Sequence, residues 1–216
     1  MTERIWLGCL CLLIVIPLHA ENAIQLLSHE GKAVSGVVLY LQHKAPEGES
    51  AQASIRPTIS QRNKQFQPYV SVVQVGVPVS FENNDDIAHH IYSLTGKERF
   101  SFKIRKDEAA RTLQFQQAGI IPMGCNIHDW MSGYLLVVDT PYYGITDDNG
   151  RVLFSHIESG SYTLRVWHPQ MKEADRDQQH IVAWPLTDPF SISLTQPLDS
   201  IPEQKPLDDF DFLDGY

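Results

Sequence analysis

Between Gly124 and Gly133 the chain carries a thiol, an imidazole and a thioether, Cys125, His128 and Met131, at C-x-x-H-x-x-M spacing. These are soft or borderline donors. They suit copper better than magnesium or calcium, which take oxygen ligands. A blue-copper electron-transfer site needs two imidazoles, one thiolate and a long axial thioether. The loop supplies one imidazole, so the second has to come from elsewhere. Ala88-His89-His90-Ile91-Tyr92 is the donor stretch. On a strand, neighbouring side chains point to opposite faces, so only one of His89 and His90 reaches the metal.

The segments around the loop read as strands. Gly119 to Met123 runs into Cys125, and Tyr134 to Val138 is a continuous apolar run suited to a buried strand. A loop held between two strands is a rigid place for a metal. Upstream, Tyr69 to Val75 and Val77-Val79-Phe81 have strand character, and Glu82 to Asp86 is a polar turn. Phe100 to Ile104 and Thr112 to Phe115 continue the pattern. No long helical period appears, and short β-branched runs between Gly, Pro and Asn/Asp signals predict an all-β chain. Residues 55–67 give no clear pattern and read as an extended linker across the sheet. Met123 precedes the Cys on the incoming strand and is expected in the core. Trp130, between His128 and Met131, fits an apolar patch at the ligand edge as well as packing under the loop.

The N-terminus looks like an export signal over residues 1–20. Arg4 precedes an apolar run from Ile5 to Ile16, Pro17 ends it, and Leu18-His19-Ala20 offers a cleavage site. The run is too short for a typical membrane span. Cys9 and Cys11 leave with this signal, so Cys125 remains as a lone thiol in an oxidising compartment, where metal ligation explains it better than simple burial. The expected location is the periplasm, with no membrane span after cleavage. The formal net charge is −9, from 17 basic and 26 acidic residues, which argues against nucleic acid as a partner. Five of the acidic residues cluster between Glu203 and Asp214. The basic residues from Lys97 to Arg111 read as a solvated face.

Taken together, Val77–Asp85, Ala88–Ser93 and Gly124–Leu135 resemble the cupredoxin family, with an amicyanin-like ligand loop. The layout is also similar to cupredoxin-like proteins labelled methylamine utilization proteins. The resemblance implies a Greek-key β-sandwich over residues 69–140 and one type 1 copper ion. It implies His89, Cys125, His128 and Met131 as ligands, with His90 as the alternative to His89. Many cupredoxins have Asn after the first His, and this chain has His90 there. Asn84 resembles the family's bracing Asn in the preceding turn. The implied function is electron transfer with redox partner proteins. A copper chaperone or buffer would use the same ligands, and an envelope β-sandwich binding module would need no metal. A multicopper enzyme would need further His-x-His pairs, which are absent from the sequence.

Downstream, Asp147-Asp148-Asn149-Gly150-Arg151-Val152 and Gly160 to Pro169 resemble the prealbumin-like β-sandwich that serves as a regulatory domain in carboxypeptidases. Such modules support or bind. His156, His168 and His180 have no ligand spacing and are expected to be structural. The expected organisation is a signal at 1–20, an N-terminal β segment at 21–68, the copper-binding core at 69–140, the prealbumin-like unit at 141–196, and an acidic disordered tail at 197–216.

Overall fold

A computed structural model describes residues 22–43, 56–96, 98–176 and 178–204. The expected signal and the last residues of the expected acidic tail lie outside them. The described chain opens with strands β1 (Ala23–Leu27) and β2 (Val38–His43). A long central run follows: β3 (Thr58–Arg62), β4 (Gln65–Gln67), β5 (Val70–Gln74), β6 (Pro78–Asn83), β7 (His89–Ser93), β8 (Phe100–Ile104), β9 (Arg111–Gln114), β10 (Gly119–Cys125) and β11 (Ser132–Val138). The last group is β12 (Tyr143–Ile145), β13 (Arg151–Leu153), β14 (Gly160–Trp167), β15 (Gln179–Trp184) and β16 (Phe190–Ser193). The all-β class expected from the sequence is observed. No helix among the described residues is long and apolar enough to cross a membrane.

The strands form four sheets, in the orders β13-β1-β16, β12-β2-β14-β15, β5-β11-β10-β7-β8 and β4-β3-β6-β9. Three apolar clusters join them into a stack. Ile24, Leu26, Leu39 and Leu164 fill the space between the first two sheets. Val38, Val70, Val72 and Leu136 join the second sheet to the third. Ile59, Phe81, Ile91 and Leu135 fill the space between the third and fourth. The five-residue strand β5 is buried along its whole length because it faces two cores. Its Val73 enters one cluster while Val70 and Val72 enter the other, as the period of two requires.

This pairing redistributes the N-terminal segment. Strands β1 and β2 hydrogen-bond to β13, β16, β12 and β14, so both ends of the described chain build one sandwich around the central run. Within that sandwich, Thr146 Oγ1 accepts the Val37 amide across 109 residues at 3.0 Å. Residues 58–67 are no linker. They form a hairpin whose first strand pairs in parallel with β6. Its two-residue turn, Asn63-Lys64, has φ of 54° and 56°, the left-handed pair that a type I′ hairpin turn needs.

Candidate metal centre

Alternation on two strands aims two of the candidate side chains inward. In β7 the inward set is His89, Ile91 and Ser93, while His90 and Tyr92 face the other way. His89 is fully buried, and His90 instead meets Ser101 Oγ through Nε2 at 2.8 Å. In β10 the inward set is Ile121, Met123 and Cys125. Met123 packs in the core as expected. Strands β7 and β10 are neighbours, with Cys125 registered against Ile91.

The loop from Cys125 to Ser132 then folds back on itself. The Met131 amide donates to the His128 carbonyl at 3.0 Å, and the Cys125 amide to the Met131 carbonyl at 3.3 Å. The Asn126 amide donates to the His90 carbonyl at 2.9 Å, which ties the loop to β7. This turn carries His128 and Met131 inward, and both are buried. Ile127 stays half exposed beside them. Trp130 is partly buried against the core, with its ring 5.3 Å from that of His128, so packing under the loop is its role.

His89 from β7 and Cys125 and His128 from the end of β10 and its loop thus converge, with one candidate ligand atom from each within 4.8 Å of the others. Cys125 Sγ lies 3.8 Å from His89 Nδ1 and 3.6 Å from His128 Nδ1. Metal–nitrogen bonds of about 2.0 Å and a metal–sulfur bond of about 2.3 Å, spread in a trigonal plane, put nitrogen and sulfur about 3.7 Å apart. The cluster therefore fits a single ion held by two imidazoles and a thiolate, and that donor set suits copper. Met131 is buried in the same apolar cluster as Cys125.

Hydrogen bonds around the cluster orient its side chains. His89 Nε2 meets Asp85 Oδ2 at 2.8 Å. A carboxylate can only accept, so Nε2 carries the proton of that bond, and Nδ1 is the ring nitrogen that faces Cys125. Asp85 is held in turn by the hairpin turn between β3 and β4. The Asn63 and Lys64 amides donate to its two carboxylate oxygens at 2.6 and 2.9 Å. Asn83 accepts the Asp85 amide at 2.9 Å and donates to the Ile87 carbonyl at 2.7 Å, which shapes the turn. The bracing expected of Asn84 is done by Asn83 and Asp85, because Asn84 points outward to Ser60 Oγ at 2.7 Å. Asp85 had no distinguishing signal in the sequence beyond its place in a polar turn.

Electrostatics follow the same contacts. Burial disfavours the His89 imidazolium, but hydrogen bonds to Cys125 and Asp85 outweigh it and hold its pKa above the ordinary value. Burial pushes the Cys125 thiol up, yet the His89 contact and backbone hydrogen bonds from Ile127, His90 and His128 bring it below the usual thiol value. His128 is lowered, first by burial and then by its proximity to His89. The shifts at Cys125 and His128 favour the thiolate and the neutral imidazole that a metal takes, whereas His89 is shifted towards its charged form.

One further contact reaches the loop from far along the chain. Gln204 Oε1 accepts the Ser132 amide at 3.1 Å and its Nε2 donates to Ser132 Oγ at 3.0 Å, while Gln65 donates to the Gln204 carbonyl at 2.8 Å. Residues 197–204, expected in a disordered tail, instead carry the chain from the far sandwich to the residue next to Met131. Of the other histidines, His168 is buried, and His156 and His180 take no part in the cluster.

No protein-family model and no curated protein matches the chain. Solved structures are similar to part of it. A copper-containing nitrite reductase from Thermus scotoductus is 24% identical, over 44% of this chain and 25% of that one, with a TM-score of 0.37. An amicyanin mutant in its reduced state is 19% identical, over 46% of this chain and 98% of that one, with a TM-score of 0.36. A purple cupredoxin from Nitrosopumilus maritimus is 20% identical, over 39% of this chain and 100% of that one, with a TM-score of 0.35. The chain spans about a quarter of the nitrite reductase. The buried cluster lies where β7 meets the loop that joins β10 to β11.

Proposed function

We propose that this protein is an exported electron carrier with one type 1 copper ion, which His89, Cys125, His128 and Met131 would hold. The observation that carries the reading is the buried triangle of two Nδ1 atoms and one Sγ, at spacings suited to a trigonal ion. Copper bound there would supply a one-electron couple between Cu(I) and Cu(II). The protein's own contribution is rigidity. His89 is locked by Asp85 and the hairpin turn, and Cys125 by its strand. His128 and Met131 are locked by the folded-back loop. A site that changes shape little between oxidation states passes electrons with little reorganisation. Burial of all four side chains favours a resident ion over a metal in exchange, and so favours a carrier over a chaperone or buffer.

The proposed location is the periplasm, on the strength of the N-terminal export pattern. Redox partner proteins are the proposed partners, and no catalytic step is assigned. The second sandwich, whose sequence resembles prealbumin-like modules, is read as a support for the copper half. The test is the visible spectrum of the mature protein loaded with Cu(II), beside Cys125→Ser. An intense thiolate-to-copper band, lost in the variant, supports the carrier. Uptake of Cu(I) alone favours the chaperone. A protein that binds neither form overturns the copper reading and leaves a β-sandwich binding module.

A further inference from the structure

Where the two sandwiches meet, the apolar contact layer opens into a cavity of about 630 Å³. One wall comes from β14 and β2. Arg165 and Trp167 are on the face of β14 opposite the buried Leu164 and Val166, and Tyr40 stands beside Arg165 in register. The other wall comes from β10 and β11 and presents Tyr134. Tyr134 and Trp167 meet edge to face with ring centroids 6.3 Å apart. His168 and Arg176 complete the lining on one side.

Arg165 uses Nε on Gln42 Oε1 at 3.0 Å, and Arg176 uses Nε on the Met171 carbonyl at 3.2 Å. Among the described residues, neither guanidinium has a carboxylate partner. The rim carboxylate, Asp139, takes Gln42 Nε2 at 3.3 Å. His168 Nδ1 accepts the Gln170 amide at 3.2 Å, so this buried ring carries its proton on Nε2 and is neutral. Arg165 is half-buried and Arg176 exposed, and both line the cavity, so both can meet a ligand that enters it.

We propose that this cavity binds a small organic anion with a flat apolar body, the acidic group on Arg165 and Arg176 and the body between Tyr40, Tyr134 and Trp167. Planar guanidinium groups recognise carboxylate or sulfonate oxygens in two-point contacts, and aromatic walls take a flat body. The site owes nothing to the copper centre, so it stands or falls separately from the electron-carrier reading.

The probe is 1-anilinonaphthalene-8-sulfonate, titrated into the full mature chain with and without copper and followed by its fluorescence. N-phenyl-1-naphthylamine, the same body without the charge, is titrated in parallel. Expected are one saturable site for the sulfonate and affinity about tenfold weaker for the neutral amine. The Arg165→Gln/Arg176→Gln double variant is expected to lose about tenfold for the sulfonate, with an unchanged circular dichroism spectrum. The absence of saturable sulfonate binding overturns the proposal. So does equal affinity for the two probes, or an unaltered affinity in the folded double variant. If the double variant does not fold, the comparison of the two probes on the unaltered protein decides alone.

Discussion

Replacing His168 by glutamine should flatten the acid limb of this protein's stability curve. His168 is 6% exposed, and burial depresses its pKa to about 4. In the unfolded chain the same imidazole titrates near 6.5. Between those values the unfolded state binds a proton that the folded state does not, so acid pulls the equilibrium towards unfolding. The stabilising contribution is complete above about pH 6.5 and lost as pH falls towards about 4, below which the folded ring protonates too. A difference of about 2.5 units at 1.36 kcal/mol each makes the loss about 3 kcal/mol. Glutamine does not titrate, and its Oε1 can accept the Gln170 amide that Nδ1 accepts now. Urea unfolding followed by tryptophan fluorescence, from about pH 7.5 to about pH 4, measures the effect. With a slope of about 2–3 kcal/mol per molar urea, the wild-type midpoint should drop by about 1 M more than the variant's. Parallel midpoints across that range would show that His168 protonates equally in both states, and the account of its burial would be wrong.

Asp85→Ala should weaken copper binding by about 10–100-fold, read by competition with a chelator, because His89 loses the partner that fixes its tautomer; unchanged affinity would remove Asp85 from the site. Gly124→Ala sets a Cβ 2.9 Å from the Tyr92 ring, and should destabilise the fold by about 1–3 kcal/mol in thermal melts, with recovery when Tyr92 is also made leucine. No recovery in the double variant would mean the strain lies elsewhere. Gln204→Ala removes two hydrogen bonds to Ser132, together about 2 kcal/mol, and should shift the reduction potential of the loaded protein while leaving its circular dichroism unchanged. An unmoved potential would mean that this contact does not position Met131.

Some of this was legible because it is local. The C-x-x-H-x-x-M spacing displays the donor chemistry without any knowledge of the fold. Period-two patterning gave Val79 and Phe81 their buried face and showed that His89 and His90 must part. Which of the two faces inward was a different matter. It depends on which side of β7 the opposite sheet packs, and the strand's own residues carry no mark of that.

Tertiary structure decided whatever depends on groups distant in sequence. Asp85 became the brace, and not Asn84, because the Asn63-Lys64 turn of another strand pair offers its two amides there. Strands β1 and β2 joined the far sandwich because their open edges and apolar faces are satisfied by β12, β13, β14 and β16. A hydrophobic alternation states that a strand will be covered, but not by which strand. Gln204 reaches Ser132 for the same reason. Amide side chains carry no periodicity, so only the path of the folded chain brings the two together.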